Sequence, residues 1–235
     1  MLVAAAVCPQ TPLLVPQVAG GAAEELADVR GACFDALNLL WAATPDLVIA
    51  VAPGGETGAR EARFGGTFRR FGVDLTVGDD AVDECCVGLL VGRWLLDGCF
   101  PAAAPPREGW EIGPETEPEQ CAEFGRALAG RSERVGLLIM GDGSARRSAK
   151  APGYLDERAG PFDNGISRAR GGADAAALAA VDPTDASALM AAGRAPWQVL
   201  AGAAEAGGRA WRGELLSYCA PYGVGYFSAF WAPRA

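Results

Sequence analysis

The sequence contains no histidine. That absence removes the Ser-His-Asp triad, imidazole acid/base catalysis and every metal site built on imidazole. No Cys-x-x-Cys pair occurs among the seven cysteines, Cys8, Cys33, Cys85, Cys86, Cys99, Cys121 and Cys219. Neither a zinc knuckle nor a thioredoxin-type motif is therefore visible, and the irregular, mostly apolar settings read as free thiols in a reducing compartment. No apolar run reaches the roughly 18 residues of a membrane span. The first residues form an apolar run with neither a basic region before it nor a small-residue cleavage site after it, so no signal peptide is expected. An excess of positive charge is missing too. The 29 acids outweigh 20 bases for a net charge of −9, which argues against nucleic-acid and anionic-membrane partners. Lysine is nearly absent: Lys150 stands against nineteen arginines, a compositional bias with no functional content. A cytoplasmic protein is expected.

What is present is a globular composition. The 235 residues are 50% hydrophobic and 21% charged, enough to bury a large core without disulfides or metals. Residues 2–8 (LVAAAVC), 47–52 (LVIAVA) and 134–140 (RVGLLIM) are short apolar runs with stop signals, as buried parallel strands require. Residues 21–43 carry apolar side chains at helical spacing between the first two runs, so strand, helix and strand form a crossover unit that predicts a parallel pair. Residues 56–66 read as a loop, 72–77 as a strand, 79–96 as a helix, 100–118 as broken by prolines and glycines, and 119–129 as a helix. Residues 143–160 form a long polar segment. Helical stretches follow at 162–181, 184–192 and 196–206, then a closing pair of strands at 214–219 and 225–231. The fold expected is α/β: one domain over residues 1–235, with a mixed central sheet flanked by helices.

Ligands of open α/β sheets bind outside the carboxyl ends of the parallel strands. Three such exits can be named: Pro9-Gln10-Thr11-Pro12, Pro53-Gly54-Gly55, and Gly141-Asp142-Gly143-Ser144-Ala145. Each also fits a plain strand-exit turn. No phosphate-loop pattern follows Gly54, and no histidine is available to activate Ser144. Asp142 and Glu56 are candidate oxygen ligands for a hard cation, or turn-capping groups. Cys8 is a candidate thiol nucleophile, or an inert buried residue. Arg146, Arg147 and Lys150 offer positive charge for an anionic ligand, or a solvated face.

Taken in order, the three exits resemble the class III extradiol ring-cleavage dioxygenases, the LigB-like group that includes the protocatechuate 4,5-dioxygenase catalytic (B) subunit and the Memo-like proteins. The C-terminal Ala-Pro-Tyr-Gly-Val-Gly-Tyr at 220–226 is similar to an end seen in relatives. The resemblance implies a LigB-like, phosphorylase/hydrolase-like architecture and a ferrous site held by two histidines and a carboxylate. Gln10 stands where the first histidine belongs, Gly54 at the second, and Ala145 at the acid/base histidine. Near residues 193–195, where a late helix would supply the carboxylate, there is no acid.

The expectation is a homologue that has lost its iron site, with no cofactor and no metal. It would be a pseudoenzyme binding a small anionic or aromatic molecule or a protein partner. Its vestigial positions are Gln10, Gly54 and Ala145. Its binding residues are Pro9, Gln10, Thr11, Pro53, Gly54, Gly55, Glu56, Asp142, Ser144, Arg146 and Tyr222. The alternatives are an active Fe(II)-dependent extradiol dioxygenase of a catechol-type substrate, and altered chemistry using Asp142, Glu56 or Cys8. Homo-oligomerisation is expected through the apolar segment 218–231.

Overall fold

A computed structural model describes residues 1–60, 64–78, 85–99 and 105–234. The strands are β1 Leu2–Cys8, β2 Leu47–Pro53, β3 Gly58–Arg60, β4 Gly66–Thr67, β5 Thr76–Val77, β6 Arg107–Ile112, β7 Val135–Met140, β8 Trp211–Cys219 and β9 Tyr226–Pro233. The helices are α1 Pro16–Ala19, α2 Ala27–Ala42, α3 Val87–Gly98, α4 Pro118–Ala129, α5 Ala159–Gly172, α6 Ala175–Ala179, α7 Pro183–Ala188 and α8 Arg194–Glu205. Seven strands form one mixed sheet in the order β3-β6-β2-β7-β1-β9-β8. Strands β6, β2, β7 and β1 are parallel, while β3 and β9 run antiparallel to their neighbours. The fold is α/β, with helices on both faces of the sheet.

The apolar runs are continuous because the central strands are buried on both faces. Ala5 and Val7 of β1 join Leu137 and Ile139 of β7 beneath α4, α5 and α8, around Trp197 and Phe227. Ala4, Ala6 and Cys8 face the other way and meet Leu37 and Leu40 of α2 and Leu89 and Leu95 of α3. β1 and β2 are parallel as expected but are not neighbours, because β7 lies between them and pairs with both.

Several expected elements differ. The loop at 56–66 contains β3, which is antiparallel to β6. The strand at 72–77 is reduced to Thr76–Val77. The acidic start of the helix at 79–96 lies outside the described residues at 79–84; helix α3 begins at Val87, with Cys86 as its cap. The helix at 162–181 breaks at Ala173, whose φ of 51° is left-handed, giving α5 and α6. The broken stretch 100–118 holds β6, which pairs with β2 along its whole length. Its charges hid it: Arg107 bonds Asp97 at 2.8 Å and Glu108 accepts from Arg131 at 2.6 Å, outside the core. Among the described residues no helix is long and apolar enough to cross a membrane, and all seven cysteines are free thiols.

Helices α4 and α8 touch backbone to backbone. A Cβ at Gly125 would lie 2.0 Å from the Val199 carbonyl oxygen, and one at Gly202 would lie 2.2 Å from that of Ala122. Gly125→Ala should therefore destabilise the protein by about 1–3 kcal/mol, because overpacking outweighs the helical preference of alanine. Gly165→Ala on α5, with nothing within 4 Å, should instead stabilise by up to about 1 kcal/mol. Paired urea titrations with unchanged slopes check both signs.

Candidate ligand site at the strand ends

The carboxyl ends of β1 and β7 are joined at Asp142. Its Oδ1 accepts the Gln10 N–H at 2.8 Å, and its carbonyl accepts the Gly193 N–H at 2.9 Å, at the head of α8. Two glycines let that helix approach. A Cβ at Gly141 would lie 2.4 Å from the Gly193 Cα, and one at Gly193 would lie 2.1 Å from the Trp197 indole. Residues 193–195 thus stand beside the third strand exit. Burial pushes the Asp142 carboxyl up to about 7, against the opposing pull of the Gln10 N–H, Arg170 and the Thr11 N–H.

At the β2 exit, Gly54 is covered. A side chain there would begin 2.5 Å from the Glu111 Cβ and 2.6 Å from its Oε2. Glu111 lies on β6, is buried, and accepts the Cys86 N–H at 2.9 Å at the start of α3. The Gln10 carboxamide oxygen reaches the same helix end. A Cβ at Gly88 would lie 2.9 Å from it and 2.7 Å from the Ala52 Cβ. Gln10, Ala52, Pro53, Glu111 and the first turn of α3 therefore converge, and β7 carries Asp142 between the β1 and β2 exits.

Ser144 and Ala145 turn away from this edge. Ser144 is fully buried, and both its N–H and its hydroxyl donate to Asp163 of α5, at 2.9 and 2.8 Å. Ala145 is buried and bonded through its backbone to Leu189 and Gly153, each at 3.0 Å. Arg147 donates to Asp163 at 3.2 Å and to the Tyr218 hydroxyl, so its charge is already engaged. The Arg146 side chain packs on Gly153, its Nε buried without a partner. Lys150 is exposed. The long polar segment is fastened down, since Gly143 and Arg147 donate N–H groups to Gly225 and Gly223 at the β8–β9 turn. Tyr222 on that turn donates to Glu25 at 2.9 Å. Pro9 and Thr11 are buried, while Gly55 and Glu56 are exposed. Cys8 is fully buried against Cys33, and this contact together with burial holds its thiol well above the ordinary range, the opposite of what a nucleophile needs. Among the described residues no cluster of three acidic or cysteine side chains could hold a metal.

Beneath these turns lies an arrangement that the sequence reading missed. Arg170 of α5 is completely buried, its guanidinium 4.3 Å from the ring centres of both Trp197 and Phe227. None of its guanidinium nitrogens has a hydrogen-bond partner. Burial lowers its pKa to about 9, while Asp163 and Asp142 favour its charge. Asp163, Ile166 and Arg170 all lie on the buried face of α5. An Asp and an Arg at apolar-stripe spacing was the available signal.

Open space is found beside the β2 and β6 exits, in a groove of about 970 Å³. Pro53, Ile112, Pro114 and Glu115 form one side, and Thr184, Ser187, Ala188 and Met190 of the α7 region form the other. Arg194 is buried in its floor and is occupied by the carbonyls of Pro114 and Thr116 and by Gln198.

No family model matches the chain, and no curated protein matches its sequence. Eighteen chains of solved structure match it. One is an uncharacterized protein of Escherichia coli K12, at 14% identity, with a TM-score of 0.54 over 98% of this chain and 99% of that one. At that identity the likeness carries the α/β fold and nothing further.

Proposed function

We propose that this protein is a LigB-like extradiol dioxygenase homologue without iron chemistry, which binds a small molecule in the groove at the β2 and β6 strand ends. The observation that carries the reading is the filled place beside Gly54. Glu111 stands where a metal-binding side chain would project. The other two positions agree with it. Gln10 offers a weak amide donor, Ala145 offers none, and the Asp142 carboxylate is committed to a main-chain N–H. With no imidazole in it, and with Asp142 and Glu111 each already accepting a main-chain N–H, this donor set does not fit ferrous ion, which takes two imidazoles and a carboxylate in such sites.

The groove supports a binder of neutral or cationic aromatic compounds rather than of anions. Its walls are mainly proline, isoleucine, alanine and methionine, its free polar groups include Glu115, Thr184 and Ser187, and its arginine is already bonded. The free thiols and the negative net charge support a cytoplasmic protein without nucleic-acid partners.

Two experiments test it. Protein reconstituted anaerobically with Fe(II) and exposed to catechol in air should neither consume O₂ nor form a ring-opened chromophore; turnover with bound iron would overturn the reading. Millimolar benzylamine should raise the melting temperature more than benzoate does, and Ala188→Arg, at an exposed groove position, should abolish the rise. A larger shift with benzoate, no shift with either probe, or a shift that survives Ala188→Arg would refute the ligand assignment.

A further inference from the structure

Strand β8 ends the sheet. Along Trp211–Cys219 it pairs with β9 on one side and, among the described residues, with no strand on the other. Long open edges invite pairing with another chain, and proteins blunt them with lysine, proline, short strands or bulges. The opposite edge strand, β3, spans three of the described residues, whereas β8 has nine and contains neither lysine nor proline. It has one irregularity, a register shift between Leu215 and Ser217. At the other end Arg234 binds the carbonyls of Ala210 and Trp211. The regular stretch with no bonded carbonyl on its outer side therefore runs from residue 212 to 215 and includes Gly213.

This stretch is complementary to itself. A two-fold axis perpendicular to a sheet places opposed residues on the same face, so each residue must face one of like parity. Centring the axis on Arg212 or Glu214 opposes like charges, and centring it on Leu215 leaves both charges opposite uncharged residues. Centring it on Gly213 places Arg212 opposite Glu214 of the second copy, twice over. Both side chains are exposed. On the other face the same register places Trp211 opposite Leu215, which both border the core beneath α5.

We propose that a second copy of this chain docks on β8, antiparallel and centred on Gly213, making one sheet continuous across the dimer. The proposal is independent of the ligand reading. It moves the self-association surface from the 218–231 segment to the first half of β8. Opposite charges opposed across strands stabilise, and like charges so placed destabilise.

Sedimentation velocity over a concentration series should show a monomer–dimer equilibrium that weakens in high salt. Arg212→Glu and Glu214→Arg should each raise the dimer dissociation constant by about tenfold, since each replaces two attractions with two repulsions at ~1.4 kcal/mol per decade. The double variant, which swaps the charges, should recover wild-type affinity. A monomer at every concentration, a dimer indifferent to the single reversals, or a double variant no better than the singles would overturn the assignment. Unchanged circular dichroism in each variant excludes misfolding as the cause.

Discussion

Asp163→Ala should cost about 3–5 kcal/mol of folding stability, the range for breaking a buried ionic network by removing one partner. Asp163 has no exposed surface, and its two oxygens receive the Ser144 N–H, the Ser144 hydroxyl and Arg147. Its loss leaves two buried donors without an acceptor. It also takes away the strongest favourable charge beside Arg170, whose guanidinium has no hydrogen bond to fall back on. Ser144→Ala, which deletes one hydroxyl donor, should cost only about 1 kcal/mol. The contrast between the two is the test, read from urea midpoints at constant slope. Equal losses, or an Asp163→Ala variant within 1 kcal/mol of wild type, would show that α5 is held by packing alone. The variant should also loosen the β8–β9 turn, because Arg147 would lose one of the bonds that anchor it beside Tyr218.

Asp142→Asn should make the protein more stable at pH 8, by on the order of 3 kcal/mol. The folded protein raises this carboxyl from 3.8 to about 7 through burial. The fold therefore favours the protonated acid. That contribution is complete below about pH 4 and is lost as pH rises through 7, where the carboxylate must ionise beneath the strand ends. Asparagine keeps a carbonyl acceptor for the Gln10 N–H and has no proton to lose. Unfolding free energies should thus diverge between pH 5 and pH 8, with the variant increasingly ahead of wild type. A constant offset across that range would mean that Asp142 stays ionised throughout, with Arg170 and the main-chain N–H groups outweighing its burial.

These two acids show how far the candidate site could be read from the chain. Asp142 stands at the end of an apolar run, where an α/β sheet opens to ligands, and a strand ending in Gly-Asp-Gly announces such a place by itself. Asp163 lies in a helix with no motif around it. Its importance comes from Ser144 and Arg147, which the third strand exit brings to its side. Glu111 is a still plainer case. It sits in a stretch whose charges disguised a strand, and only the pairing of β6 with β2 carries it onto Gly54.

The amino-acid order alone determined that this is an α/β protein. Strands buried on both faces must be apolar throughout, helices that cover them must be apolar on one stripe, and both patterns are local. Zero histidines likewise settled the exclusion of imidazole chemistry. Which strand exits adjoin, which acid fills which empty place and which edge stays open were decided by strand order. That order arises from pairings between residues more than a hundred positions apart, such as Cys8 with Met140, which no local periodicity records.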